Sequence, residues 1–152
     1  MHSMGNAFKC LLDHKTDRKF LGPDYIANTV EELLRFDPPL HVFTRFVYED
    51  CTIGTVALKR GDEIALVLGA ATRDPALCDA PDTFNPNRNV TPHTSFGGGP
   101  HFCVGAPLAR LEMQIALPAL MSAWPDMRLA SIPRFCNTYH FHKLDQLIAT
   151  PR

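Results

Sequence analysis

Apolar residues Ile26, Val30, Leu33 and Leu34 fall at i, i+4, i+7 and i+8, one face of a helix, and the pattern predicts a helix over residues 24–36. Asp37-Pro38-Pro39 ends it, because a proline ring pushes the residue before it out of helical backbone angles. From 40 to 68 the character changes to β-branched and aromatic residues around turn signals, with strands expected at 41–48, 55–58 and, after Arg60-Gly61-Asp62, at 63–68. These predict a small antiparallel sheet. The stretch 74–100 carries five prolines among many Asn, Asp and Gly residues, so 74–105 reads as one long loop, a kind that is often functional. After Gly105 a second helical pattern opens with Pro107 in its first turn, continues through Leu108, Leu111, Ile115, Leu117 and Leu120, and should stop at Trp124-Pro125, giving a helix over 106–124. Pro118 lies inside it, where a missing N–H costs ~3 kcal/mol uncompensated, and a kink is expected. Tyr139, Phe141, Leu144 and Leu147 among polar neighbours predict a closing hairpin within 125–152, while 1–23 is assigned to an N-terminal helix or loop. No repeat or linker divides the chain, so 1–152 is read as one unit, mainly α with a small antiparallel β-sheet (α+β).

Composition narrows the function. At 152 residues the chain can build one core. A formal net charge of −1 gives no basic field to collect phosphates, so nucleic acid is not an expected partner. With 45% hydrophobic and 20% charged residues, the chain should bury a core rather than stay disordered. Five cysteines at unequal spacing, with no Cys-x-x-Cys pair, suit reduced thiols in a cytoplasm. No apolar run approaches the ~18 residues of a membrane helix, and residues 1–9 lack a signal-peptide pattern, so a cytoplasmic protein without a membrane segment is expected.

The chemistry concentrates in residues 96–105, Phe-Gly-Gly-Gly-Pro-His-Phe-Cys-Val-Gly, directly before the second helix. At a helix N-terminus unpaired N–H groups and the positive end of the macrodipole favour an anion, which stabilises a thiolate at Cys103. The glycines around it remove side chains and let a flat, bulky partner come close to the backbone. No P-loop and no dinucleotide-binding fingerprint is present. Three alternatives stand beside a cofactor ligand: an ordinary buried cysteine, a cysteine nucleophile paired with His101, and a zinc domain using His101, Cys103, His140 and His142, whose spacing is not a recognised arrangement. Cys10, Cys51, Cys78 and Cys136 are read as structural.

The segment resembles the haem-binding loop of the cytochrome P-450 family of haem-thiolate monooxygenases. Its pattern Phe-Gly-x-Gly-x-His/Arg-x-Cys-x-Gly is met by Phe96, Gly97, Gly99, His101, Cys103 and Gly105, and the following Ala-Pro-Leu-Ala-Arg-Leu-Glu at 106–112 resembles the family's next helix. Glu32 and Arg35 resemble the family's Glu-x-x-Arg pair, and Phe84-Asn85-Pro86-Asn87-Arg88 the loop whose arginine completes that network. A capping box formed by Thr29 and Glu32 is the competing local reading. The resemblance implies that Cys103 ligates the iron of haem b (iron protoporphyrin IX), that Arg45 and His101 meet its propionates, and that Leu40, His41, Val42 and Phe43 face substrate, with plain sheet packing the alternative for these four. It extends to Arg73-Asp74-Pro75 and to the terminal strands around 140–147. The activity implied is insertion of one oxygen atom of O2 into a small organic substrate, with electrons from a ferredoxin or flavoprotein reductase. The family's [Ala/Gly]-Gly-x-[Asp/Glu]-Thr stretch, which belongs to the long central helix on the distal side of the haem, is absent from the sequence. The chain is therefore expected to form the C-terminal haem-binding part of that fold without the distal central helix. No residue is assigned to catalysis beyond haem binding, and a truncated, inactive product or an unrelated thiol or zinc domain are the rival functions.

Overall fold

The computed structural model of the protein describes residues 2–89 and 92–151. Three helices carry the core: α1 (His2–Asp13), α2 (Ile26–Phe36) and α4 (Ala106–Ala123), with a short α3 (Leu68–Ala71) between the strands and the long loop. The predicted face of α2 is the one that packs, with Val30, Leu33 and Leu34 buried against Ala7, Phe8 and Leu11 of α1 and Met113, Leu117 and Met121 of α4. Phe84 reaches into the same cluster from the loop. Thr29 lies inside α2 and donates its hydroxyl to the Phe20 carbonyl, 2.7 Å, while the helix starts at Ile26 after Tyr25; the capping-box reading of Thr29 and Glu32 is excluded.

Helix α4 needs a correction. The sequence pattern placed Leu108, Leu111, Ile115, Leu117 and Leu120 inward, yet Leu108, Leu111 and Ile115 are exposed and the buried stripe is Met113, Leu117 and Met121. Both sets follow helical spacing on a helix apolar almost all round, so periodicity could not choose between them. The helix runs through Pro118 to Ala123 without interruption. It has no basic residue in its last turn. Arg18, from the 3-10 turn Arg18–Leu21, supplies one from afar, donating to the carbonyls of Met121 and Pro125.

The single sheet expected over 40–68 is two separate antiparallel pairs. Strands β1 (Val42–Phe46) and β4 (Glu63–Val67) pair in the register Val42↔Val67 to Phe46↔Glu63. Between them β2 (Cys51–Ile53) and β3 (Val56–Leu58) form a tight hairpin across Gly54, whose φ of +58° suits glycine. Strand β2 has three residues, too few for an alternating pattern to announce it. The closing hairpin is likewise two nested pairs, β5 (Arg128–Leu129) with β8 (Ala149–Thr150) and β6 (Arg134–Phe135) with β7 (Leu144–Gln146). Tyr139 and Phe141 stand outside these strands, although Phe141 bridges back to Leu40 and so ties the C-terminal segment to the entry of β1. Among the described residues no helix is long and apolar enough to cross a membrane.

Leu117 has no exposed surface and sits where all three core helices meet. Leu117→Ala is expected to lower unfolding free energy by about 2–5 kcal/mol, the transfer loss plus a cavity that three packed helices cannot close, measured by urea titration.

Candidate functional site

Residues 94–106 fold as consecutive turns. Gly97 donates its N–H to the Thr94 carbonyl at 2.8 Å, Phe102 to Gly99 at 3.0 Å, Cys103 to Phe96 at 3.0 Å and Ala106 to Cys103 at 3.1 Å. Gly97 and Gly99 take φ of +71° and +63°, a region that costs other residues strain. The result leaves Cys103 exposed, two residues ahead of the α4 N-cap Gly105. A methyl group at Gly105 would lie 3.8 Å from Cys103 Sγ, in contact with the sulfur, and around Gly98 and Gly99 there is open space.

Cys103 lines a cleft of about 720 Å³ whose walls are mainly apolar, from Leu40, Phe43, Leu66, Leu68 and Phe96. Arg45, Gly97 and His101 line the same cleft, so five of the predicted haem-contacting positions (Arg45, Phe96, Gly97, His101 and Cys103) come together; Gly99 and Gly105 belong to the loop without lining the cleft. Arg45 reaches the cleft from β1, where it stacks on Phe43 with the guanidinium 4.7 Å from the ring and gives one donor to the Thr44 carbonyl at 2.8 Å. Of the four residues assigned to substrate, Leu40 and Phe43 line this cleft, Val42 lines a smaller neighbouring hollow, and His41 stacks on His142 instead. The other cysteines lie elsewhere: Cys10 is buried and desolvation pushes its thiol up to about 12, Cys78 is buried, Cys51 is exposed and Cys136 is half-buried.

Two carboxylates on α2 hold the surroundings of the cleft. Glu32 accepts from Arg35 Nε at 2.7 Å and Nη2 at 2.9 Å, both side chains being almost wholly buried. The rest of the Arg35 fork donates to the carbonyls of Thr72, Pro81 and Thr83. Arg88 meets the same carboxylate at 3.4 Å and donates to the carbonyls of Asp79, Ala80 and Thr83, while the Asn85 N–H donates to Glu32 Oε1 at 2.9 Å. Residues 72–88 are thereby ordered without regular secondary structure.

Sequence reasoning missed the second carboxylate. Glu31 accepts from Arg110 Nε at 2.5 Å and Nη2 at 2.9 Å and sits 3.0 Å from His93 Nε2. Desolvation pushes this carboxyl up, yet the hydrogen bonds from His93 and Arg110 outweigh it and bring it down to about 2. His93 Nδ1 accepts the Ser95 N–H at 3.3 Å, and the Arg110 guanidinium lies 4.7 Å from the centre of the Phe96 ring. Glu31 thus connects α2 and α4 to the cleft loop. The only sequence signal for it was Arg110 and His93 flanking the glycine-rich segment.

Glu32→Ala would strand two guanidinium groups, one of them fully buried, and is expected to cost about 3–5 kcal/mol in chemical denaturation. Glu31 gives a pH signature. Its folded pKa lies below the ordinary value of 4.5, so its contribution is complete above that value and is lost as pH falls from 4.5 towards about 2. Acid unfolding followed by far-UV circular dichroism should show Glu31→Gln less stable at neutral pH and flatter through that window.

Residues 23–125 match the family model for cytochrome P450. The biotin biosynthesis cytochrome P450 of Bacillus subtilis is 39% identical over 150 residues, spanning 97% of this chain and 38% of that relative. Polyketide biosynthesis cytochrome P450 PksS of the same organism is 44% identical over 133 residues, 86% of this chain and 33% of its own length. Among solved structures, P450BioI in complex with an acyl carrier protein ligated to hexadec-9Z-enoic acid superposes with a TM-score of 0.94 at 38% identity, covering 99% of this chain and 40% of that one. The tirandamycin C-bound P450 monooxygenase TamI gives a TM-score of 0.93 at 33% identity, with 99% and 39% covered. The chain thus spans about two-fifths of the length of these proteins. On this sequence and structural similarity, it belongs to the cytochrome P450 family and adopts part of that family's fold.

Proposed function

We propose that this chain is a haem-binding portion of a P450 monooxygenase in which Cys103 is the iron ligand. The observation that carries the reading is the meeting of one exposed sulfur, one guanidinium and one imidazole on a single apolar cleft, at Cys103, Arg45 and His101. This donor set fits haem b: apolar walls suit the faces of a porphyrin, and two polar side chains suit its two propionates, with Arg45 able to make charge-assisted hydrogen bonds to a carboxylate. Open space at Gly98 and Gly99 leaves the backbone free of side chains where the macrocycle would approach. A zinc site fits less well. His140 bonds the Val42 carbonyl and His142 stacks between Phe135 and His41, so neither joins His101 and Cys103 in the cleft.

In this reading each part of the chain has a task. Cys103 would supply the sulfur ligand, and its backbone is held by its N–H bond to the Phe96 carbonyl and by the Ala106 N–H donating to its own carbonyl. The Glu31–Arg110–His93 cluster orients the loop from behind, and Glu32 with Arg35 and Arg88 fixes the segment leading to it. Leu40 and Phe43 offer an apolar surface to a small organic substrate. When bound, haem supplies dioxygen chemistry at iron, and a thiolate ligand pushes electron density that favours O–O cleavage. Electrons come from a ferredoxin or flavoprotein reductase. The sequence has no [Ala/Gly]-Gly-x-[Asp/Glu]-Thr stretch to handle protons, and the expectation for this chain by itself is poor folding or weak, open haem binding, without substrate turnover.

Purified chain mixed with haem, reduced and exposed to carbon monoxide should give the strongly red-shifted Soret band of thiolate ligation, and Cys103→Ala should abolish that shift. An unshifted band in the wild type would overturn the assignment. Arg45→Ala is expected to weaken haem binding by about ten- to a hundredfold, as loss of a charge-assisted bond implies, with the position of the Soret band unchanged. Oxygenated product from the isolated chain with reductant and a substrate panel would contradict the expectation of no turnover.

A further inference from the structure

Away from the cleft, three side chains from distant parts of the sequence converge. Asp37 caps the C-terminus of α2, His41 immediately precedes β1, and His142 precedes β7; one ligand atom from each lies within 4.8 Å of the others. Asp37 Oδ1 and His142 Nε2 are 3.4 Å apart, long for a hydrogen bond. It is, however, the separation expected of two ligands bound at ~2.1 Å in a tetrahedral metal site, about 3.4 Å. The remaining edges need to close by no more than about 1.4 Å, and because the His41 and His142 rings are stacked with planes 12° apart, the His41 ring turns out of that stack to bring its in-plane lone pair onto the ion.

The backbone holds the two histidines in place. His41 N–H donates to the His140 carbonyl at 3.0 Å, the His41 carbonyl accepts from Gly69, and His142 N–H donates to the Pro39 carbonyl at 2.8 Å. Across the Leu40↔Phe141 bridge this puts both imidazoles on the same face. The His41 ring packs directly on Gly69, where a methyl group would stand 3.2 Å from two ring carbons, and His142 is sandwiched between Phe135 and His41 at centroid distances of 3.8 and 4.4 Å.

The electrostatics favour a cation. Asp37 is a half-buried carboxylate at the negative end of the α2 dipole. The two cations nearby are otherwise engaged, Lys9 with Asp13 at 2.7 Å and Arg73 with Asp82 and the Phe36 carbonyl.

We propose that Asp37, His41 and His142 form a site for a divalent transition-metal ion of the zinc and cobalt class, with a fourth position taken by water. The ion ties the end of α2 to the entry of β1 and to the C-terminal strands. Its role is structural, and it is independent of the cleft, which none of the three residues lines.

The test uses the purified chain after dialysis against chelator, titrated with Co2+ as probe. A single saturable site with visible d–d absorption, displaced by Zn2+ at one equivalent, is the expected result. Asp37→Asn and His142→Gln should each weaken binding at least tenfold, and His140→Gln should leave it unchanged. Absence of one-to-one binding, wild-type affinity in either of the first two variants, or loss through His140→Gln would overturn the proposal. Metal-free variants are checked by circular dichroism. Should a ligand variant fail to fold, Gly69→Ala, which crowds the His41 ring while leaving all three ligands present, carries the same test with several-fold weaker binding expected.

Discussion

Glu32 is a carboxylate with almost no access to water, and an unpaired charge in that position would cost several kcal/mol. Arg35, one turn on and equally buried, answers it with two parallel hydrogen bonds. That pairing creates a second demand, because the remaining guanidinium N–H groups must also be satisfied. They are satisfied by carbonyls at Thr72, Pro81 and Thr83. A segment with three prolines between 74 and 88 and no helix or strand is in this way given a fixed path beside the helix. The order of the long loop originates in an ion pair on a helix, not in the loop's own propensities.

The neighbouring carboxylate does the corresponding work on the other side. Adjacent residues on a helix point about 100° apart. Glu32 therefore faces the loop while Glu31 faces α4 and the residues around Phe96. One helix, through two successive acids, positions both the approach to the cleft and its floor. Ser95 adds a third link to the same helix, its hydroxyl donating to the Leu34 carbonyl at 2.7 Å.

What could be read in the sequence divides along physical lines. Helix α2 was legible because its apolar face is narrow and flanked by charge, and the position of Cys103 just ahead of a helix because glycines and a helix start leave a dense local signature. The inward face of α4 was not legible, since a helix apolar on several sides has two competing stripes and only its tertiary neighbours choose Met113 over Leu111. Division of the expected sheet into separate pairs was hidden by strands of two or three residues, shorter than any period can register. Glu31 was hidden for another reason: its partners Arg110 and His93 are 79 and 62 positions away, and adjacency to Glu32 disguised it as one more surface acid. His41 turned from the cleft because its backbone is paired with residue 140, a contact between segments a hundred residues apart.

The far end of α4 bears on the order in which the molecule assembles. Pro118 deprives its second half of one backbone bond, and no lysine or arginine in its final turn offsets the dipole. The missing cation is Arg18, more than a hundred positions earlier, which holds the Met121 and Pro125 carbonyls. The last turns of this helix are consequently expected to fray in a nascent or isolated segment and to close once the N-terminal region has docked. Completion of α4 is thereby tied to a contact spanning more than a hundred positions, and its expected place in folding is late, set by chain closure rather than by helix propagation.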